Sequence, residues 1–414
     1  MAWAEGEPWL RRRPGLLWMA RLLPLLPLSL IALNVAGVVS YLTWVFAIIV
    51  TLTFSNAVGR TVHRVFDRAF SREGGFQEYA ELIQLLERRD FGSPLLAELQ
   101  RRLRGGEGSA QTEMRRLHRL VSLSEVRFSM LYVAIQGLTL WDFHVLDRLE
   151  RWQLRAGRHA REWLGAVAEA DALSALATLR FDNPDWAFPA IAEEGPPLLE
   201  ASDLGHPLLR DGVRVVNDVT IPPPGRFLFI TGSNMSGKST LLRAIGTNVV
   251  LAQAGAPVCA SAMRLPPLSL ATSMRVHDSL QAGLSHFMAE LTRLKMIVEA
   301  ARQADARVLL YLLDDVLQGT NSAERRIAAR KVVGHLLDAH AIGCVTSHDL
   351  ALADEGRLAA AGEAVHFTER IEEGPEGAHI SFDYRLRPGI ATSRNALKLV
   401  ELVGLSETER ATGD

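Results

Sequence analysis

The chain has 414 residues, enough for two or three domains with sizeable cores. Its formal net charge is −2, which excludes the global basic field that by itself attracts nucleic acid. Two cysteines, Cys259 and Cys344, are too few and too dispersed for a disulfide framework or a cysteine metal site, and they fit a reducing interior.

Residues 1–21 are short and basic, with Arg11, Arg12, Arg13 and Arg21. From Leu22 to Gly59 no charged residue occurs. That is about twice the length of one membrane-spanning helix, adequate for two short ones. Asn34 to Gly37 is the expected turn. Arginines stand before the run and again after it, at Arg60, Arg64 and Arg68, so the positive-inside bias puts both ends in the cytosol. The expectation for residues 1–59 is a basic terminus and a transmembrane helical hairpin. A signal peptide would be shorter and would carry a small-residue cleavage site. A buried pair of soluble helices is the other alternative.

Residues 60–185 read as helical. Apolar residues recur at helical spacing over Tyr79–Leu86 and Leu117–Leu131, with a glycine-rich break at Arg104–Ser109. The stretch from Trp141 to Leu173 is amphipathic and arginine-rich, either a solvated face or a DNA-contacting one. Asn183-Pro184 closes the region. Short apolar pieces then alternate with turns from Trp186 to Ile221 (AFPAI, PPLLEA, HPLL, VRVVNDVTI), and each is expected to be a strand.

Phe227–Leu241, FLFITGSNMSGKSTL, is an apolar run, a glycine-bounded loop and the first turn of a helix. It fits G-x-x-x-x-G-K-[ST] with Gly232, Gly237, Lys238 and Ser239 in the fixed places. Successive backbone N–H groups in such a loop curl around a β-phosphate, so side chains at its ends would block the approach. The following helix points its positive end at the same anion. Lys238 adds a point charge near the β- and γ-phosphates, and Ser239 offers a hydroxyl to Mg²⁺.

Beyond a connector at Pro266-Pro267, a helix is expected from about Ser285 to Ala304, then an apolar strand from Val308 to Leu313 ending in Asp314-Asp315. Gly343–Ser347 reads as a strand ending at His348, Ala364–Ile371 and His379–Leu386 as a hairpin, and Thr392–Val403 as a closing helix. Strands alternating with helices indicate an α/β domain with a mostly parallel sheet over residues 186–405, followed by a disordered tail at 406–414.

Taken together, the stretch from about Glu169 to Leu405 resembles the ATPase domain of the MutS family of DNA mismatch-repair proteins. The matches are TGSNMSGKST at the phosphate loop, DSLQAGLSHFMAEL in the middle, LLYLLDDVLQGTNSAER at the acidic strand and VTSHDL at its successor. DALSALA and the HPLL at His206 look like the stretches that lead into that ATPase. The resemblance implies an ABC-type P-loop NTPase, preceded by an all-α region similar to the family's lever helices. It implies that Gly232, Ser233, Asn234, Met235, Ser236, Gly237, Lys238, Ser239 and Thr240 bind ATP. Ser239 and Asp314 would hold Mg²⁺, His348 would sense the γ-phosphate, and Asp315 stands where the family has a glutamate that polarises the attacking water. Ser285 corresponds to the serine that reaches the opposite subunit's nucleotide, and Gly319, Thr320, Asn321 and Ser322 would cross the interface. Such a site is completed by a second copy, so a homodimer is implied.

Two departures bear on function. The uncharged run stands where the family has its mismatch-reading and connector domains. The wedge motif F-x-E occurs twice, at Phe76-Gln77-Glu78 and Phe367-Thr368-Glu369, and chance alone accounts for one match. The expected function is therefore a membrane-anchored, MutS-like ATPase, working as a dimeric switch at the inner or plasma membrane with its ATPase domain in the cytoplasm. By resemblance it would bind mismatched double-stranded DNA and sense DNA damage. The alternative is an ATP-driven scaffold that acts on a protein partner without DNA. Two helices are too few for a transporter's path, the LSGGQ signature is absent, and Lys238 and Asp314 are too close in sequence to admit coiled-coil arms.

Overall fold

Prolines open and punctuate the first helices. In the computed structural model, α1 (Pro14–Leu22) starts on Pro14, and α2 (Leu25–Val35) follows Pro24. Proline suits a first helical turn because its missing N–H has no partner there anyway. The structure describes residues 3–70, 75–105, 108–233, 235–274, 286–303, 307–316, 322–348, 356–374 and 377–390. The chain turns just after α2, where the Asn34 side-chain amide donates to the Val39 carbonyl at 2.7 Å, and continues as α3 (Tyr41–Phe70). Pro14–Val35 and Tyr41–Asp67 are each long and apolar enough to cross a membrane, and their most apolar windows are only 17% and 11% buried.

The helical unit, residues 1–175, continues with α4 (Gly75–Arg88), α5 (Pro94–Arg104), α6 (Ala110–Ser124), a 3₁₀ turn (Glu125–Phe128), α7 (Tyr132–Thr139) and α8 (Trp141–Asp182). The unit boundary lies inside α8. Phe143, Leu146, Leu149, Trp152, Ala156 and Trp163, spaced three or four apart except for one seven-residue step, give α8 a buried stripe. Val62 and Phe66 of α3, Ile83 of α4, Leu103 of α5 and Leu117 of α6 complete the core.

The first residues dock on the same helix. Glu150 accepts the backbone N–H groups of Trp9, Leu10 and Arg11 at 2.7–2.8 Å. Burial pushes the Glu150 carboxyl above its usual range, against the pull of these three hydrogen bonds. At Gly157 the approach is so close that an added Cβ would lie 2.1 Å from the Ala4 carbonyl oxygen. Arg11, Arg21 and Arg151 all pair with Asp147. Burial alone would raise that carboxyl, and the three guanidinium groups hold it low instead.

Among the described residues the second unit carries two larger sheets and one two-stranded sheet. The first is mixed, with spatial order β1-β5-β2-β3, from β1 (Ala190–Ile191), β2 (Leu199–Leu204), β3 (Asn217–Ile221) and β5 (Ala262–Leu265). The HPLL stretch, expected as a strand, is instead a turn between β2 and β3, with Leu209 N–H donating to the His206 carbonyl. Proline in that stretch leaves a backbone position with no ladder donor. The second sheet has the order β12-β9-β4-β8-β7-β6, built from β4 (Phe227–Thr231), β6 (Leu268–Ser273), β7 (Val308–Leu313), β8 (Ile342–Thr346), β9 (Gly362–His366) and β12 (Arg387–Pro388). Its pairs are parallel except for β12 on β9. Helices α9 (Lys238–Gln253), α10 (His286–Arg302), α11 (Ser322–Asp338) and α12 (Gly356–Ala361) connect or flank these strands. The expected hairpin forms from β10 (Glu369–Gly374) and β11 (Gly377–Phe382), while the first half of the run assigned to it joins the parallel sheet as β9. The closing helix at 392–403 and the tail lie outside the described residues.

Candidate functional site

All five residues of β4 are buried, so the strand is a rigid lead-in to the loop at its carboxyl end. Gly232 and Gly237 sit at φ +143° and +109°, in a region that glycine enters without strain. A Cβ at Gly232 would also press to 2.9 Å from Ser236 Oγ and 3.0 Å from the Phe367 carbonyl oxygen. Lys238 opens α9 and is 5% exposed. Its ammonium donates to the carbonyls of Gly232 at 2.8 Å and Ser233 at 2.9 Å, curling back over its own loop. Burial lowers the pKa of this ammonium, opposed by the carboxylates of Asp315, Asp314 and Glu369. Ser236 Oγ is buried with no hydrogen-bond partner. Ser239 is half-buried on the first turn of α9, while Met235 and Thr240 are exposed.

The acid pair comes from β7. Thr346, at the end of the neighbouring β8, donates its hydroxyl to Asp314 Oδ1 at 2.8 Å and accepts the Asp315 N–H at 2.8 Å. Asp315 stands at φ +43°, and its Oδ2 lies 3.0 Å from His348 Nε2. The same imidazole nitrogen lies 3.3 Å from Lys238 Nζ. Nε2 is a donor to Asp315 in one tautomer and an acceptor from Lys238 in the other, so it serves one at a time. Asp315 Oδ1 is buried without a partner.

Residues from β4, β7 and β8 thus converge as the sequence suggests: Gly232, Ser233, Ser236, Lys238, Asp314, Asp315 and His348 form one constellation. Asn234, Ser285, Gly319, Thr320 and Asn321 lie outside the described residues, and Ser322 begins α11. Four contributors went unrecognised in the sequence. Thr346 is one. Glu369 of β10 accepts the Ser233 hydroxyl at 2.7 Å. Phe367 and Tyr384 line the cleft of about 390 Å³ beside Lys238, Ser239 and Asp315. Phe367 and Glu369 stood out in the sequence only as the second F-x-E match, which carried no role at this site, and Thr346 and Tyr384 belong to no phosphate-site motif of their own. Phe367 of the second F-x-E match is 2% exposed, so it is a wall of this cleft rather than a protruding wedge.

A glycine-bounded loop between a buried strand and a helix, with acids at the end of a parallel strand nearby, defines an α/β P-loop nucleotide-binding domain. Residues 228–412 match the family model described as MutS domain V. The carboxyl-terminal part of the chain is therefore similar to the MutS family over this domain. It is 30% identical to the DNA mismatch repair protein MSH6 of Arabidopsis thaliana over 266 residues, covering 60% of this chain and 20% of that protein. It is 33% identical to the DNA mismatch repair protein MutS 2 of Halobacterium salinarum over 249 residues, covering 58% and 27%. With the DNA mismatch repair protein MutS of Natronomonas pharaonis the identity is 32% over 257 residues, covering 61% and 28%. The chain therefore spans about a fifth to somewhat over a quarter of the length of these relatives.

Proposed function

We propose that this chain is a membrane-anchored ATPase of MutS type, in which ATP closes two copies against each other and hydrolysis releases them. The observation that carries the reading is the meeting of Lys238 and Asp315 at a single imidazole nitrogen of His348. In that reading the N–H groups of 232–240 cradle the phosphates, and Lys238 exchanges its loop carbonyls for phosphate oxygens. The buried, partnerless Ser236 Oγ and the open glycine backbone fit an anion at that place. Ser239 and Asp314 have the hard oxygen donors that Mg²⁺ takes, one carboxylate and one hydroxyl beside phosphates. Held there, Mg²⁺ would supply charge neutralisation for phosphoryl transfer. Asp315 accepts a proton from the attacking water and orients it; His348 fixes Asp315 and exchanges partner when a γ-phosphate draws Lys238 away. Ser285 and the 319–322 loop reach the second copy.

Mixing a Lys238→Ala chain with a Ser285→Ala chain tests the shared site. Each homodimer is inactive, and the mixture should recover activity because one complete site forms per heterodimer. No recovery after demonstrated exchange of subunits would sink the two-chain site.

The relatives' names place those proteins in DNA mismatch repair, which supports mismatched DNA as a partner here. A specific observation favours the second reading, a switch acting on a protein partner at the membrane. Arg155 and Arg161 on the arginine-rich helix pair with Glu113 and Glu5, and Arg151 shares Asp147 with Arg11 and Arg21, so part of the helix's positive charge is taken up within the unit. The detergent-solubilised chain should then bind homoduplex, mismatched and branched DNA weakly and alike. A preference for one of these that weakens steeply with salt would restore the DNA reading.

A further inference from the structure

The helical unit has an apolar element that the hairpin does not include. From Phe128 to Trp141 the sequence is again uncharged. Its core, α7, packs along the apolar half of α3: Thr51 donates its hydroxyl to the Gly137 carbonyl, and the Gln136 amide donates to Ser55 Oγ at 2.8 Å. Gly137 lies so close to α3 that a Cβ there would sit 2.9 Å from an Ile48 methyl. Small residues and interhelical hydrogen bonds of this kind are how helices associate in a bilayer. Just before α7, Phe128 is 86% exposed and Met130 fully so, which continues the exposed apolar surface of the hairpin.

Between α3 and α7 runs a cleft of about 490 Å³ with a polarity gradient along its length. Ile49 and Leu52 of α3 line its apolar end, and one to three helical turns further along α3 Asn56, Arg60 and His63 line its polar end. His63 and Tyr132 are held in place by the buried Asp142 carboxylate. Among the described residues no carboxylate pairs with the Arg60 guanidinium. Gly59, also on the cleft wall, has open space where a Cβ would stand.

We propose that this cleft binds one phospholipid, with its phosphate at Arg60 and Asn56 and its acyl chains along Ile49 and Leu52. The gradient matches such a molecule end to end: hydrocarbon beside the uncharged run, phosphate at the first arginine after it. A guanidinium holds a phosphate through charge-assisted, bidentate hydrogen bonds. The proposal rests on the reading that α1–α3 anchor the chain in a membrane. It makes α7 and the polar end of α3 a lipid-filled joint rather than an empty seam.

Native mass spectrometry of the delipidated full chain in detergent tests it, with phosphatidylglycerol, a diacylglycerol lacking phosphate, and glycerol phosphate as separate probes. One phosphatidylglycerol should bind per chain, and the other two should each bind at least about tenfold more weakly, the loss of one charge-assisted contact. Arg60→Gln should weaken phosphatidylglycerol by about the same factor. Gly59→Leu, which fills the cleft and favours the helix, should abolish the bound lipid while leaving the circular dichroism spectrum unchanged. Equal binding of diacylglycerol, glycerol phosphate binding as tightly as the lipid, or unaltered binding in both variants would overturn the proposal. The anchor has its own readout, retention of wild type and both variants in carbonate-washed membranes. A soluble chain that still binds one phospholipid would sink the anchor and leave the cleft standing.

Discussion

Thr346 holds the two acids apart and in register. Its hydroxyl donates to Asp314 and accepts from the Asp315 backbone, so the metal-holding and water-orienting roles proposed for the pair depend on one β8 side chain. Asp315 itself occupies a left-handed backbone position, which aspartate tolerates better than most residues. The resemblance to the MutS ATPase implies a glutamate at this place, one methylene longer. Misplacing a catalytic group by about an ångström can lower a rate on the order of a hundredfold. Asp315→Glu should therefore raise kcat by a factor between about ten and a hundred, with little change in ATP affinity and a small loss of stability from the backbone position. Steady-state ATPase assays on the two proteins decide it. An unchanged or lower kcat would mean that Asp315 already reaches the water. The phosphate loop is legible in sequence because its chemistry is contiguous: glycine, lysine and serine at fixed spacing. Thr346 and Glu369 are not, because their contacts depend on the parallel register that sets Leu313 beside Val345 and on where a hairpin folds back.

At the scale of elements, the amino-terminal segment depends on α8. Three consecutive N–H groups converge on Glu150, and Leu10 among them is fully buried, so its donor has no route to water if the carboxylate is lost. An unsatisfied buried donor costs about 1–3 kcal/mol. Glu150→Ala should therefore free the segment locally, and trypsin should cleave after Arg11 and Arg12 faster by about tenfold or more in the detergent-solubilised chain. Equal cleavage rates would show that the stacked Trp3 and Trp152 rings and the Arg11–Asp147 pair suffice on their own. The hairpin's turn was readable from Asn34 and Gly37 because amide and glycine act locally. The docking on α8 was not, since the partners lie about 140 positions apart in the chain. The α7 element also escaped, because an uncharged stretch this short is indistinguishable in sequence from a core helix. Its exposure and its packing on α3 are what separate the two.

For the whole molecule, the hairpin arms and the amino-terminal segment belong to one helical unit, and the phosphate loop, acids and histidine to the other. In the proposed account the first unit anchors and the second hydrolyses. In the same proposed account, the arginines on both flanks of the hairpin would put the nucleotide domain on the cytosolic side, where ATP is. The central claim is that the 232–239 loop, Asp314, Asp315 and His348 form a working ATPase in this chain. Its most direct test is the Mg²⁺-dependent release of phosphate by the purified full chain, wild type against Lys238→Ala, in matched detergent. The account predicts turnover in the wild type that stops when EDTA removes the metal, and a loss of about a hundredfold or more in the variant, as for removal of one preorganised charge at a phosphoryl-transfer site. Equal activity in the two proteins, or no activity in the wild type at saturating ATP and Mg²⁺, would contradict it.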